Sequence, residues 1–221
     1  AIFTHLACAD EPERPANDEQ LDVFDRVLDD LGAAAPPVVH AANSAAALAL
    51  PRARRSLVRC GIALYGISPG AGVDHLVGEL RPALRLVARA SFVKRVAAGS
   101  HVSYGWRHRT DRDTTLVTVP IGYADGVPRR LGTLPDRPGA DVLVRGRRCP
   151  IVGVVTMDQL VVDVGDATVE VGDEVVLIGE QGDDRITAEE WAERLGTIGY
   201  EIVCGIGSRV PRVVTARHDR P

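Results

Sequence analysis

The stretch LRLVARASFVKRV, residues 84–96, marks a change in the pattern of this 221-residue chain. Apolar and polar side chains alternate along it with a period of two, which is typical of β-strands with one buried face. The alternation recurs in TTLVTVPIGY (114–123), DVLVRGRRCPIVG (141–153), QLVVDVG (159–165) and DEVVLIG (173–179). Because glycines separate these stretches, residues 83–221 are predicted to form a mostly antiparallel β domain. One helix is predicted inside it, at residues 187–196, with Thr187 and Glu190 as a capping box.

Residues 1–82 have a different order of elements. The predicted strands are AIFTHLA (1–7), PPVVH (36–40) and SLVRCGIALYG (56–66). The predicted helices are NDEQLDVFDRVLDDLG (17–32), capped by Asn17 and closed by Gly32, and SAAALAL (44–50), which begins at Ser44. This β-α-β-α-β order predicts parallel strands with right-handed crossovers.

Three strands cannot close a barrel, since a complete (β/α)8 barrel takes about 250 residues. An open sheet is the alternative. Because the chain starts inside a strand, we expect residues 1–82 to be the C-terminal part of a (β/α)8 barrel whose earlier strands lie upstream. The predicted fold is therefore α/β plus β, a partial barrel followed by an antiparallel β domain.

The bulk composition narrows the possible functions. The formal net charge is −4 and the basic residues are spread out, so nucleic acid is not an expected partner. Neither a membrane-spanning run nor a secretion signal is visible, so a cytoplasmic protein is expected. The four cysteines lack C-x-x-C spacing and are expected to be reduced, mostly buried thiols, without a metal site. Lys94 is the single lysine, so chemistry that needs an amine has no other lysine in this chain.

Candidate site residues stand at or just after the end of each of the three predicted strands, and most of them are polar. They are His5, Asn43, Ser44, Arg59, Gly61 and Ile62. At the carboxyl ends of barrel strands such residues face the active site. Ser44 and the N–H groups of Gly61 and Ile62 could bind a phosphate, and Arg59 could meet a cofactor ring nitrogen. The alternatives are that Ser44 caps a helix, Arg59 joins a salt bridge and His5 is an ordinary strand-end histidine.

Tyr104 lies between a serine and a glycine in HVSYGW (101–106), and Tyr123 lies in PIGYADG (120–126). A tyrosine flanked by small residues is poorly covered by its neighbours. That arrangement suits a phenol that must reach a partner, and it also suits an ordinary strand end.

Several stretches, taken in order, resemble the alanine racemases that depend on pyridoxal 5'-phosphate (PLP). They are THLACADE, HAANSAA, VRCGIALYG, VSYGW, PIGYADGVPRRL, PIVGVVTMDQ and SRVPR, and the resemblance runs over essentially the whole chain. It implies a fold-type III enzyme, with an N-terminal barrel that holds PLP and a C-terminal β domain. It also implies a cytoplasmic homodimer with shared active sites, which interconverts L- and D-alanine by two-base proton exchange at Cα and supplies D-alanine for peptidoglycan.

The resemblance also implies roles for individual residues. Tyr104 takes the position of the catalytic base, with His5 and Arg59 of the partner subunit as a polar relay to its phenol. The main-chain N–H of Met157 would meet the substrate carboxylate, and Tyr123 would line the substrate site. The expected cofactor-binding residues are His5, Asn43, Ser44, Arg59, Gly61, Ile62 and Ser208.

Two departures from the family pattern matter. Ser208 stands where many members have a tyrosine that reaches the phosphate. The lysine that binds PLP lies upstream in the family, and Lys94 is no substitute, so this chain alone is not expected to racemise alanine. Two alternatives remain: a racemase for serine or for several amino acids, and a catalytically inert, dimerising fragment.

Overall fold

The computed structural model describes residues 1–78 and 80–215. The chain divides into two compact units, Ala1–Ala83 (unit 1) and Leu84–Pro221 (unit 2). Each unit carries its own group of predicted site residues, and each is described by itself below.

Unit 1 alternates short strands with helices. Its elements are β1 (Ile2–Phe3), α1 (Ala16–Leu31), β2 (Val39–His40) and α2 (Ser44–Ala49). Short 3-10 turns lie at Gly32–Ala34, Pro51–Ala53, Ile62–Tyr65 and Ala71–Leu76. β1 and β2 pair in parallel, with Ile2 opposite Val39, which confirms the predicted parallel pairing of these two strands.

The prediction of a third strand at residues 56–66 is wrong. The main-chain N–H of Ser56 bonds to Val39 O (3.1 Å), but the N–H of Val39 is taken by the Ser56 hydroxyl (2.8 Å). The Ser56 hydroxyl thus accepts the hydrogen bond that a main-chain carbonyl would accept in a parallel strand pair. Because a parallel strand pair needs main-chain carbonyls as acceptors at regular intervals, no strand forms here. The chain then turns into the 3-10 helix Ile62–Tyr65.

The first turn of α1 holds the loop that follows β1. Asn17 was predicted to cap α1, but Pro15 occupies the cap position. The buried Asn17 amide instead donates to the carbonyls of Cys8 (3.1 Å) and Glu11 (3.0 Å). Gln20, one turn later, donates to His5 O at 2.7 Å. Polar residues near the start of α1 therefore fix the loop that carries His5.

The core of unit 1 lies between α1, α2 and the strands. α1 buries Leu21 and Phe24 there, and α2 contributes buried alanines such as Ala46. Gly32 ends α1 with φ +48°, as predicted, because a residue with a side chain adopts that conformation at a cost.

Unit 2 is dominated by one twisted sheet. Its strands are β3 (Leu86–Arg89), β4 (Phe92–Val96), β5 (His101–Val102), β6 (His108–Arg109), β7 (Thr114–Val119), β8 (Asp141–Val144), β9 (Arg147–Val152), β10 (Leu160–Gly165), β11 (Glu174–Gln181) and β12 (Asp184–Ile186). Within the described residues, eight of them form a sheet in the order β12-β11-β8-β9-β10-β7-β4, with β3 also pairing β11. The neighbours in this sheet run antiparallel, which confirms the mostly antiparallel prediction.

The stretch 84–96 forms two strands instead of one continuous strand. β3 pairs with β11, whereas β4 pairs with β7. The change of partner falls at two adjacent residues, because Ala90 N bonds to Asp173 O (2.8 Å) and Ser91 N bonds to Thr118 O (2.9 Å). The alternation predicted strand structure correctly but carried no information about this change.

Two helices close unit 2, α3 (Ala188–Leu195) and α4 (Gly199–Gly205). Thr187 caps α3 as predicted, since its hydroxyl accepts from the N–H of Glu190 (3.1 Å). The Glu190 carboxylate binds Arg148 (2.7 Å) rather than the main-chain N–H of Thr187, so only the Thr187 half of the predicted capping box forms. α4 was not predicted, because glycines at both of its ends and the β-branched Ile202 and Val203 read as extended chain.

The cysteines differ from the expectation in their burial. All four are free thiols, but only Cys149 is buried; Cys8 and Cys60 are half-buried and Cys204 is exposed. Across the described residues, none of the helices is long and apolar enough to cross a membrane.

Candidate active site

The guanidinium of Arg59 lies where β1 and β2 end. It donates to the carbonyls of Thr4 (3.1 Å) and Ala41 (3.3 Å), which follow these strands, and to Nδ1 of His40 (2.6 Å). Carbonyls just past a strand end have left the ladder, so they are available to a side-chain donor. Arg59 thus joins the two strand ends.

Neutral groups surround this cation. Its partners in the described part of the chain are carbonyls and imidazoles, without a carboxylate, so the salt-bridge alternative for Arg59 is not what the structure contains. The carbon Cζ of Arg59 lies 5.2 Å from the ring centre of Phe3, close enough for cation–π attraction. An arginine held by neutral acceptors keeps its charge available to a ligand.

His40 is a member of this cluster that sequence reasoning missed. Its ring stacks on Phe3 with centroids 5.1 Å apart. Burial, and then the charge of Arg59, hold the pKa of His40 below its usual value. The neutral ring accepts from Arg59 at Nδ1, so its proton is on Nε2. Its place at the end of β2, matching His5 at the end of β1, was the signal in the sequence.

His5 lies between two donors. Its Nδ1 is 3.3 Å from a guanidinium nitrogen of Arg59, and its Nε2 is 3.4 Å from the amide nitrogen of Asn43. The amide oxygen of Asn43 accepts from Ala46 N (3.0 Å), which turns the NH2 group toward His5. A neutral imidazole accepts at one nitrogen only, so His5 can satisfy one of these donors at a time.

Ser44 is buried and faces the turn after Arg59. Its oxygen accepts from the N–H groups of Gly61 (2.9 Å) and Ala63 (3.4 Å). The cap of α2 is Asn43, so the helix-cap alternative for Ser44 is wrong. A side chain added at Gly61 would meet nothing within 4 Å, which leaves open space beside the Gly61–Ile62 turn. The hydroxyl hydrogen of Ser44 can still be donated to a ligand there.

In unit 2, the loop 103–106 exposes Tyr104, whose residue is 73% accessible. Ser103 has φ 62° and ψ −174°, a conformation normally restricted to glycine. Its hydroxyl donates to Val154 O (2.7 Å), which ties the loop to the chain leading to Met157. Trp106 stacks on His101 with ring centres 4.8 Å apart. The phenol of Tyr104 is thus presented to solvent by a fixed, strained loop.

Tyr123 and Met157 are exposed on two loops that are bonded together. Tyr123 N donates to Thr156 O and Ala124 N donates to Met157 O, both at 3.0 Å. A Cβ at Gly122 would lie 2.3 Å from Thr156 O, so a side chain there would separate the loops. The structure therefore brings these two predicted site residues into one region.

Ser208 is exposed on the segment after α4. Arg212 holds this segment by donating to Ile206 O (2.7 Å) and Gly207 O (2.6 Å). Gly207 N in turn donates to Asp125 O (3.0 Å), so the segment reaches the Tyr123 loop. Within residues 1–78 and 80–215, no group of three histidine, cysteine, aspartate or glutamate residues is placed to hold a metal ion.

By fold, the chain combines an α/β unit with an antiparallel β unit, and each unit presents a cluster of polar residues. Two protein-family models match the chain. The model for "Alanine racemase, N-terminal domain" matches residues 1–69, and the model for "Alanine racemase, C-terminal domain" matches residues 83–214. The chain therefore belongs to the alanine racemase family, which confirms the resemblance seen in its motifs.

Known alanine racemases are similar over nearly the whole chain. The protein from Thermobifida fusca is 52% identical over 97% of this chain, and that from Symbiobacterium thermophilum is 51% identical over 96%. The crystal structure of alanine racemase from Bacillus anthracis with bound L-Ala-P matches 98% of this chain, with a TM-score of 0.91 and 43% sequence identity. The crystal structure of alanine racemase from Streptomyces lavendulae matches 97% of this chain, with a TM-score of 0.87 and 44% sequence identity. The chain spans 55–56% of the length of each of these proteins.

Proposed function

We propose that this chain is the C-terminal portion of a PLP-dependent racemase that interconverts L- and D-alanine and so supplies D-alanine for peptidoglycan. The observation that carries the proposal is the guanidinium of Arg59, which is surrounded by neutral acceptors. Arg59 lies two residues before the open turn at Gly61. In this proposal residues 1–82 belong to a (β/α)8 barrel and residues 83–221 form the β domain that carries the catalytic tyrosine.

The residues of unit 1 fit PLP. Its phosphate needs N–H and O–H donors, and the Ser44 hydroxyl with the N–H groups of Gly61 and Ile62 would provide them around an open space. Its pyridine nitrogen needs one donor, which Arg59 would provide. His5 and Asn43 would lie beside the ring, and Ser208, in unit 2, would contribute a hydroxyl through a bridging water.

Bound PLP withdraws electrons from the Cα of an attached amino acid and so makes its hydrogen acidic. Arg59 keeps its protons at any physiological pH, so it would donate a hydrogen bond to the ring nitrogen without protonating it. An unprotonated ring would withdraw electrons less strongly than a protonated one, which would favour proton exchange over transamination. Arg59 would thus select the reaction type.

Tyr104 would act as the base on one face of the substrate, removing the Cα proton of L-alanine or returning one to it. We propose that the Tyr104 loop serves the cofactor site of the second subunit in a homodimer, where the partner's Arg59 and the partner's His5 form a polar relay of hydrogen bonds to its phenol. The N–H of Met157 would bind the substrate carboxylate, and Tyr123 would line the alanine site.

A base on the opposite face is also required, and Lys94 is unsuited to it. Lys94 lies in the middle of β4, opposite Leu116 in β7, as part of the sheet. We therefore propose that a lysine outside these 221 residues attaches PLP and acts as the second base. Peptide mapping of the borohydride-reduced enzyme from its natural source should place the PLP adduct on a lysine other than Lys94.

The direct test uses NMR to measure how fast the Cα hydrogen of L- or D-alanine exchanges with D2O in the presence of the enzyme purified from its natural source. Tyr104→Phe should slow exchange from L-alanine by about 10²- to 10⁴-fold, with a much smaller effect on D-alanine, because each base serves one face. Tyr65→Phe, another exposed tyrosine, should leave both rates within about twofold. Equal losses for both enantiomers would show that Tyr104 is not the base for one face. Faster turnover of serine than of alanine would contradict the substrate assignment.

A further inference from the structure

Arg209 connects the three loops of unit 2 that carry Tyr123, Met157 and Ser208. Its NH2 lies 2.7 Å from an oxygen of Asp158, and its Nε lies 3.3 Å from an oxygen of Asp125. We propose that Arg209 is a positioning residue for substrate binding, which holds these three loops in register; this inference rests on the proposed function. The Arg209 clamp is defined here as Arg209, Asp125 and Asp158.

Each member of the clamp lies beside one residue of the candidate site. Asp125 ends the short turn that begins at Tyr123, Asp158 follows Met157, and Arg209 follows Ser208. A shift of any clamp residue is therefore transmitted through one or two peptide bonds to a group proposed to contact substrate or cofactor.

Asp125 is the buried anchor of the clamp. One of its oxygens accepts from Gly122 N (2.9 Å), which shapes the Tyr123 turn, while the other faces Arg209. Gly207 N donates to Asp125 O (3.0 Å), so main chain and side chain join the same two segments. Without Arg209, the buried carboxylate would lose its cation and the turn would lose its link to Asp158.

The exposure of Arg209 and Asp158 indicates that their ion pair does more than stabilise the fold. The side chains of Arg209 and Asp158 are each 55% exposed, and ion pairs this exposed contribute little to stability. The two loops are already joined by Tyr123 N to Thr156 O and by Ala124 N to Met157 O. Gly207 N already ties the Ser208 segment to Asp125 O. What Arg209 adds is a direct link from that segment to Asp158 in the Met157 loop.

Kinetics of purified enzyme variants test this role. Arg209→Ala should raise the KM for alanine about tenfold or more with a smaller change in kcat, because a displacement near 1 Å at a binding group costs up to about a hundredfold. Arg209→Lys should recover part of the loss, since an ammonium can reach one carboxylate but cannot bridge two. The matched control is Arg95→Ala, which removes a 51% exposed arginine 2.7 Å from Asp166, away from the loops, and should leave KM within about twofold.

A double variant separates positioning from general destabilisation. If Arg209 acts on the Met157 loop through Asp158, Arg209→Ala with Asp158→Asn should raise KM no further than Arg209→Ala alone. Additive losses, or a KM that rises only in step with a falling thermal midpoint, would overturn the proposal.

Hydrogen–deuterium exchange gives a result that does not depend on activity. The amides of Tyr123 and Ala124 should exchange at least severalfold faster in Arg209→Ala than in the wild type, whereas Arg95→Ala should not change them. A wild-type enzyme without racemase activity would contradict the proposed function, and the exchange rates would still decide whether the clamp holds the loops. Unchanged exchange together with unchanged KM would overturn the inference.

Discussion

Arg59 donates a hydrogen bond of 2.6 Å to Nδ1 of His40, the last residue of β2. The two residues also share the ring of Phe3, which lies 5.2 Å from Cζ of Arg59 and is stacked on His40. An imidazole that accepts from a guanidinium must be neutral, so protonation of His40 would remove this contact and place two cations side by side.

The pH response of His40 follows from this contact. Its folded pKa lies below the ordinary 6.5, so as pH falls through that range the unfolded chain takes up a proton before the folded chain does. Stability should therefore be full above about pH 6.5 and fall on acidification until the folded pKa is reached. NMR titration of the His40 ring and unfolding midpoints between pH 5 and 7.5 would measure both effects.

Two variants sharpen this prediction. His40→Asn should flatten the acid decrease in stability, and Arg59→Gln should raise the pKa of His40 only partly, because burial is the larger cause of the shift. His108 also has a pKa lowered by burial and is the matched control, since the Arg59→Gln change should leave its titration unaltered. A His40 pKa at or above 6.5 in the wild type would refute the assignment.

If the proposed homodimer shares its sites between subunits, inactive subunits should complement each other. In a mixed dimer of Tyr104→Phe and Arg59→Lys subunits, one site would have both natural residues and the other neither. Random mixing makes half the dimers mixed, so activity should recover to about one quarter of the wild type. Mixing each variant with itself is the control. A mixture no more active than its parents would argue that Tyr104 and Arg59 act within one chain, or that no dimer forms.

The backbone of Ser103 predicts an unusual order of stabilities. At φ 62° and ψ −174°, Ser103→Gly should be more stable than Ser103→Ala by about 1–3 kcal/mol, since both lose the bond to Val154 and only glycine relieves the strain. Ser100 provides the comparison, because its hydroxyl also bonds a carbonyl (Ala97, 2.8 Å) but its φ is negative. At that position Ser100→Ala should be more stable than Ser100→Gly by about 0.4–1 kcal/mol. Denaturant unfolding of the four variants measures which of the alanine and glycine variants is more stable at each position. If alanine were the more stable at both positions, the backbone of Ser103 would not be strained.

The thiols should differ in reactivity. Burial raises the pKa of Cys149 to about 11, so at pH 8 only about one thiol in a thousand is ionised. Iodoacetamide should therefore label the exposed Cys204 first and Cys149 only after denaturant is added. Mass spectrometry of digests taken over time would follow this, and rapid labelling of Cys149 in the native protein would show that it is accessible.

Part of the candidate site was predictable because its residues have local sequence signals. His5, Asn43, Ser44 and Arg59 were predicted from their positions at strand ends, and the structure brings them together at the ends of β1 and β2. Their functional roles stay predictions. Arg209 was missed, because what distinguishes it is a partner 51 residues away in the chain. His40 was missed although its place at the end of β2 was a local signal, and its contact with Arg59, 19 residues away, was not visible in the sequence.

The sequence by itself determined the period-two strands of unit 2, the parallel pairing of β1 with β2, the cap at Thr187 and membership of the alanine racemase family. Each of these depends on local periodicity, short-range capping or motifs. Only the tertiary structure decided that residues 84–96 change partner at Ala90 and Ser91, that residues 56–60 form no strand, and that Arg59 has neutral partners. These outcomes depend on hydrogen bonds between residues far apart in the chain, such as the one from Arg59 to Thr4 across 55 positions, and local side-chain patterns do not specify them.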